Sequence, residues 1–313
     1  MSQVSNPSDC PSDRKTRLIF GCGYVGIHVA KLWLGSGDRV VALTRSSQRA
    51  GDLEKIGIEP VVCDWLDPRV ENTNLPDIRL PIQLPSVGTI STILFAVSHA
   101  SASHALGLAQ LSKSLFANHG TSKPRWIYLS TTGVFADPLP DSPLWVDETS
   151  TVAPKRPGSV NALEAEQWLE SSLLEHVVLR PAGIYGPGRI PNLQPLRHGE
   201  AMAVDPESYL NLIHVEDLAL AIATVAQGPI KQRLYCVSDG KSVKRNEYYD
   251  FIAQCLNIPK PVFSENYNLE NARKRSQGNK RVSNKRLLAD YSLELRFPDY
   301  RSGLSSLVEE MSR

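Results

Sequence analysis

The sequence is short of cysteine, of net charge and of long apolar runs, and each shortage argues against a class of function. Cys10, Cys22, Cys63, Cys236 and Cys255 are odd in number, widely scattered and without a Cys-x-x-Cys pair. That argues against a disulfide framework and against a structural zinc site. It suits a reducing, cytoplasmic setting. The formal net charge is only +1 over 313 residues. Such a balance offers no electrostatic case for nucleic acid or for an anionic membrane surface. No apolar run approaches the roughly 20 residues that span a bilayer. Residues 1–16 are rich in Ser, Pro and Asp and lack an apolar core. They are expected to form a disordered arm rather than a signal peptide.

What remains is the composition of an ordinary globular protein, with 42% apolar and 21% charged residues. The chain is long enough to bury a large core without staples. Apolar strands are expected at Arg17–Phe20, Arg39–Thr44, Glu59–Cys63, Thr89–Val97, Trp126–Ser130 and Val177–Arg180. Between them, Val25–Leu34, Ser101–Asn118 and Ser159–Leu174 carry helical periodicity. Pro76–Pro85 is too rich in proline for a regular helix. Asp137–Gly158, with five prolines, is expected to be a long loop. Strands alternating with helices imply a parallel sheet covered on both faces. The expected fold is therefore α/β, a Rossmann-type doubly wound parallel sheet with a small C-terminal substrate lobe. Residues 17–185 would form the dinucleotide-binding domain. Residues 186–313 would contribute the last Rossmann elements and the lobe, with a strand and helix near Leu210–Ala226, a strand at Leu234–Val237 and a helix at Arg245–Leu256. The basic run Arg273–Arg286 is expected to be solvated surface.

Gly21-Cys-Gly-Tyr-Val-Gly26 is a G-x-G-x-x-G loop between an apolar strand and a helix, the context that dinucleotide binding requires. The first glycine permits the tight turn, the second the approach of a pyrophosphate, the third close packing of helix on strand. The helix N-terminus then offers N–H groups and partial positive charge to phosphate. Gly21, Gly23, Tyr24, Val25 and Gly26 are the expected loop contacts. Cys22 is expected to be a small apolar spacer. An NAD site usually has Asp or Glu at the end of the second strand. Here that strand ends Thr44-Arg45-Ser46, without a carboxylate. A guanidinium with two hydroxyls suits a 2′-phosphate, so NADP is expected in preference to NAD. Asp64 could accept a hydrogen bond from the adenine amino group, or could be a turn residue. Ala96 and Ser98, at the end of a parallel strand, are expected beside the cofactor. His99 and His104 follow them, but no third ligand stands at metal spacing, so no metal is expected.

Four further segments bear a resemblance: Leu129-Ser-Thr-Thr-Gly-Val-Phe135, Asp147-Glu148 with Pro154, Leu179-Arg-Pro-Ala-Gly-Ile-Tyr-Gly-Pro-Gly-Arg189, and Asn211-Leu-Ile-His-Val-Glu-Asp-Leu218. With the glycine loop, they make the chain, from about Arg17 to Leu307, resemble an extended, atypical short-chain dehydrogenase/reductase of the NAD-dependent epimerase/dehydratase type. The resemblance implies that Thr131 contacts a substrate carbonyl and that Pro181 lies beside the nicotinamide. It also implies a Tyr-x-x-x-Lys pair at the start of the helix after the acidic loop. Aligned on Leu163-Glu-Ala-Glu166, Gly158 stands in place of that tyrosine and Ala162 in place of the lysine. General acid–base catalysis contributes about 10²- to 10⁴-fold, so the absence bears directly on function.

Tyr185 and His214 are candidate replacements for proton transfer, against readings as a packing aromatic and a satisfied loop histidine. Glu164 and Glu166, two residues apart on a helix, do not share a face. Arg189 could hold an anionic substrate group. The expected function is an NAD(P)-binding oxidoreductase or epimerase-like enzyme acting on a small polar, sugar-derived substrate. The alternative is a non-catalytic NADP-binding sensor or scaffold. The expected partner is a small-molecule substrate, not nucleic acid or membrane, and the sequence sets no oligomeric state.

Overall fold

Along the first strand, β1 (Thr16–Phe20), every residue is buried. Ile19 joins the core on one side, while Leu18 and Phe20 join the core on the other. This is the period-two alternation of a strand covered on both faces. The structure is a computed structural model, and it describes residues 14–62, 90–99, 104–117, 123–136, 145–264 and 279–311.

After β1 come α1 (Tyr24–Gly35), β2 (Arg39–Thr44), α2 (Ser47–Glu54), β3 (Glu59–Val62), β4 (Ile90–Phe95), α3 (His104–Ala117) and β5 (Arg125–Leu129). A 3₁₀ turn at Thr132–Val134 leads to β6 (Trp145–Val146), α4 (Pro157–Ser171), β7 (His176–Pro181) and β8 (Gly183–Tyr185). The remainder holds α5 (Leu193–Arg197), β9 (Tyr209–Leu210), β10 (Leu212–His214), α6 (Val215–Gln227) and β11 (Leu234–Val237). It ends with β12 (Val243–Lys244), α7 (Arg245–Leu256), β13 (Arg281–Val282), α8 (Lys285–Tyr291) and α9 (Tyr300–Met311).

Seven strands form one sheet in the order β11-β7-β5-β4-β1-β2-β3. Every neighbouring pair in it is parallel. Helices α1 and α6 cover one face, with Val29, Trp33, Leu218 and Ile222 in its core. Helices α3 and α4 cover the other, through Leu108, Leu111, Ala165 and Leu169. The strand order reverses between β1 and β4, which opens a crevice at their carboxyl ends. A third apolar cluster joins Tyr185, Leu212, Tyr248, Tyr249, Tyr300 and Leu304 from β8, β10, α7 and α9. This is the doubly wound α/β fold expected from the sequence.

Most element ends differ from expectation by one to three residues, and some of the differences have a visible cause. Helix α4 starts two residues earlier than its periodicity suggests, because Pro157 fits the first helical position after Arg156. It stops at Ser171, where the Ser172 hydroxyl donates back to the Leu169 carbonyl at 2.6 Å. The stretch expected to be one long loop contains β6, which pairs in parallel with β13, 136 residues later, in register Trp145 to Arg281 and Val146 to Val282. Cys63, Asp64 and Pro76–Pro85 lie outside the described residues.

Candidate active site

The three loop glycines meet three different surroundings. Gly21 has φ +82°, and a Cβ there would lie 2.6 Å from the Ala96 carbonyl oxygen. At Gly26 a Cβ would lie 3.0 Å from the Gly21 carbonyl and 3.4 Å from Ile19 Cγ2, so the glycine lets α1 lean on β1. At Gly23 a Cβ would meet nothing within 4 Å. That open side faces a cleft of about 650 Å³. Gly23 also caps α1 without a side-chain hydrogen bond, and a helix start leaves its first N–H groups without intrahelical partners. Such an opening at a helix N-terminus is suited to an anionic group.

The rest of the cleft is built from the carboxyl ends of the parallel strands. Leu43 and Thr44 end β2 and Arg45 follows it, with Arg49 from α2. Ala96, Val97, Ser98 and His99 follow β4, and Leu129, Ser130 and Thr131 end β5. Pro181, Ala182, Gly183, Ile184 and Arg189 close the far side. Cys22 also lines it, and burial pushes its thiol up to about 11, so no thiolate is present near neutral pH.

Two guanidinium groups stand at the β2 end. Arg45 is exposed, and Arg49 reaches back to donate to the Cys22 carbonyl at 3.2 Å. The sequence reading missed Arg49, because Arg45 lies before the Ser46 cap and Arg49 within α2, so no helical spacing relates the two in sequence. Ser46 is corrected. Its hydroxyl caps α2 by accepting from the Arg49 N–H at 3.3 Å, and it does not line the cleft.

At the β4 and β5 ends, the Thr131 hydroxyl accepts from the Gly133 N–H at 3.0 Å and faces the cleft. Behind Ser130, Arg180 and Glu166 form a buried pair, with Arg180 Nη2 donating to Glu166 Oε2 at 2.6 Å. The Ser130 hydroxyl donates to the same carboxylate. His104 is buried and fully engaged. Its Nε2 donates to the Ser98 carbonyl at 3.1 Å, which leaves Nδ1 to accept from the Tyr128 hydroxyl at 3.0 Å. Desolvation lowers its pKa to about 4. Among the described residues there is no metal-holding group of three or more His, Cys, Asp or Glu.

The two suggested acid–base replacements stand elsewhere. Tyr185 is wholly buried in the C-terminal cluster, its hydroxyl donating to the Asp299 carbonyl at 3.4 Å. A Cβ at Gly303 of α9 would collide with that hydroxyl, so the phenol is a fastener between β8 and α9. His214 caps α6, its Nδ1 accepting from the Glu216 N–H at 3.3 Å. Its ring lies against Tyr185 and Phe297, and burial lowers its pKa to about 4. Neither lines the cleft. Tyr24 does, with the Arg189 guanidinium 5.4 Å from its ring centre. Its hydroxyl is buried without a hydrogen-bond partner and faces Gly186.

The glycine cradle at the switch point is the geometry of a nucleotide-binding α/β fold, and comparison with known proteins says which. Residues 18–235 match the NAD dependent epimerase/dehydratase family. The chain belongs to that family. The YeeZ protein of Escherichia coli K12 is 29% identical over 177 residues, 56% of this chain and 60% of YeeZ. The match to this curated relative thus spans less than two thirds of its length. A solved conserved protein of unknown function from Silicibacter pomeroyi is 25% identical, with a TM-score of 0.76 over 96% of this chain and 100% of that one. A candidate NAD-dependent epimerase/dehydratase of Methylobacillus flagellatus is 26% identical, with a TM-score of 0.73 over 96% of this chain and 99% of its own. The UDP-glucose 4-epimerase of Thermotoga maritima, solved with UDP-glucose, shares the fold at 18% identity, with a TM-score of 0.72 over 95% and 98%.

Within the family, this chain is atypical where Tyr-x-x-x-Lys is expected. Ala162 is fully buried, and a Cβ at Gly158 would lie 3.2 Å from the His99 carbonyl oxygen and 3.3 Å from His99 Cβ.

Proposed function

We propose that this chain is an NADP-dependent oxidoreductase or epimerase-like enzyme acting on a small polar, sugar-derived substrate. The observation that carries the reading is the pair Arg45 and Arg49 at the β2 end of the cleft, with no carboxylate among its described lining residues. A 2′-phosphate would receive charge-assisted, bidentate hydrogen bonds there. The glycine loop and the α1 N-terminus would hold the pyrophosphate. Ala96, Ser98 and Pro181 would flank the nicotinamide half, and Asp64 the adenine. A bound nicotinamide supplies or takes up a hydride. Thr131 would hold the substrate oxygen by its hydroxyl, and Arg189 an anionic substituent. The C-terminal cluster around Tyr185 and Tyr248, within 186–313 apart from its first residue, would serve as the substrate lobe. UDP-glucose in the Thermotoga maritima epimerase supports a sugar nucleotide as the first compound to try.

A second reading, a cofactor-binding sensor or scaffold without turnover, is favoured by one observation. The tyrosine and lysine positions hold Gly158 and a buried Ala162.

Calorimetry with NADP and NAD tests the cofactor assignment. A hydrogen bond to a charged group contributes about 1.5–3 kcal/mol. Arg45→Ala and Arg49→Ala should therefore each weaken NADP binding roughly ten- to a hundredfold and leave NAD binding within about twofold. A wild-type protein that binds NAD as tightly as NADP overturns the assignment.

A further inference from the structure

The backbone and Cβ of His99 pack against Gly158, the position where the family's tyrosine is expected. It follows β4 and lines the cleft with Ser130 and Thr131. The backbone of His99 sits so close to Gly158 that a side chain at position 158 could not enter without displacing it. Helix α4 grips this segment through Asn161, whose Nδ2 donates to the His99 carbonyl at 3.3 Å and whose Oδ1 accepts from the His104 N–H at 2.8 Å. The element that would have carried the phenol thus positions an imidazole instead.

The ring has a defined tautomer. His99 Nε2 lies 3.0 Å from the Leu129 carbonyl oxygen. A carbonyl can only accept, so Nε2 carries the hydrogen and Nδ1 carries the lone pair. His104, whose ring centre is 5.2 Å away, has both nitrogens engaged and cannot share this role.

We propose that His99 is the acid–base residue of this site, its Nδ1 exchanging the proton of the substrate hydroxyl. This rests on the cofactor reading above. In the oxidative direction the O–H bond breaks, its proton passes to Nδ1, and its electron pair forms the second C–O bond. The C–H bond breaks with its electron pair, a hydride that a bound oxidised nicotinamide would take up. Reduction returns proton and electron pair by the same route. The Leu129 carbonyl fixes the ring and supports the imidazolium that forms.

Among the described residues, three titratable groups lie near His99. His104 adjoins it, and Tyr128 crosses its ring at 6.4 Å between centres. Glu166, behind Ser130, favours the charged form, but desolvation is the larger influence and lowers the pKa. The ring is therefore a neutral base near pH 7.

The experiment has a spectroscopic arm and a kinetic arm. Nitrogen NMR of the full chain should show His99 with a protonated Nε2, a bare Nδ1 and a pKa below that of a free histidine. A bare Nε2 overturns the proposal. Oxidation of UDP-glucose and a panel of small polar secondary alcohols by NADP is then followed from pH 5 to 9. Oxidation should rise through the His99 pKa and level off, and His99→Gln should lower it about a hundredfold or more. NADP affinity, measured by calorimetry, should stay within twofold. Turnover in His99→Gln within threefold of wild type overturns the proposal, as does a wild type that binds NADP but turns over nothing in the panel. If NADP fails to bind the wild type at all, the cofactor reading falls and the proposal falls with it.

Discussion

A side chain added at Gly23 and one added at Gly21 would have opposite consequences. Gly23→Val projects into the open cleft, where an added Cβ meets nothing within 4 Å, and its φ of −89° is not left-handed. It should lower the melting temperature less than Gly21→Ala does and abolish dinucleotide binding. Gly21→Ala must hold φ +82° and push against the Ala96 carbonyl. Left-handed backbone alone costs a non-glycine residue about 1–2 kcal/mol, so this variant should melt several degrees lower. Thermal denaturation with calorimetry separates the two, and equal melting temperatures would contradict the assignment of roles. The tight turn at Gly21 and the close packing at Gly26 were legible from spacing alone, because strand, glycines and helix are neighbours in sequence. The roles of Tyr185 and His99 were not. Gly-Ile-Tyr-Gly-Pro does not reveal which way the phenol turns, and only the contact with Gly303 shows it serving the C-terminal core. His99 drew attention only as a metal ligand, since its closeness to Gly158 spans 59 residues of chain.

Between elements, the same limit separates local pattern from long-range pairing. The seven-stranded sheet follows from alternating apolar strands and helices, and its strands lay close to the expected positions. The two-residue partners β6 and β13 are too short to leave a periodic trace. The tie between α4, β5 and β7 was equally hidden. Glu166 reads as one more helix carboxylate, yet it is buried against Arg180 and Ser130. Arg180 also stacks 4.9 Å from the Phe135 ring centre. Removing one member of such a pair leaves a buried charge uncompensated, at a cost of about 3–5 kcal/mol. Glu166→Gln and Arg180→Met should each lose that much in urea denaturation. The double variant should lose less than the two singles together, because neither charge is then stranded. Strict additivity would show that the two side chains do not act as a pair.

For the molecule as a whole, the buried histidines set how stability responds to acid. His104 and His214 are held at a pKa of about 4, each chiefly by desolvation. Between pH 6.5 and 4 the unfolded chain binds protons at these positions and the folded one does not, so stability falls as pH falls. His99, lowered in the same sense, adds to this. Asp239 opposes it. Its carboxyl is buried after β11 and raised to about 7 by desolvation, with Asp299 and Asp217 nearby adding to the shift. It keeps its proton when folded and loses it when unfolded, so its contribution falls as pH rises from 3.8 towards 7. Asp217, also raised, acts in the same sense as Asp239. One carboxylate thus cancels roughly one histidine, a slope of about 1.36 kcal/mol per pH unit for each proton. Asp239→Asn keeps the shape of the neutral acid and removes its titration. Urea denaturation between pH 5 and 6.5, above the range where exposed carboxylates such as Glu59 titrate, should then show a steeper loss of stability with acid than the wild type, by about one proton's worth. An unchanged slope would mean that Asp239 is ionised in the folded protein, and that the β11 end carries a negative charge beside Tyr185 and the C-terminal cluster.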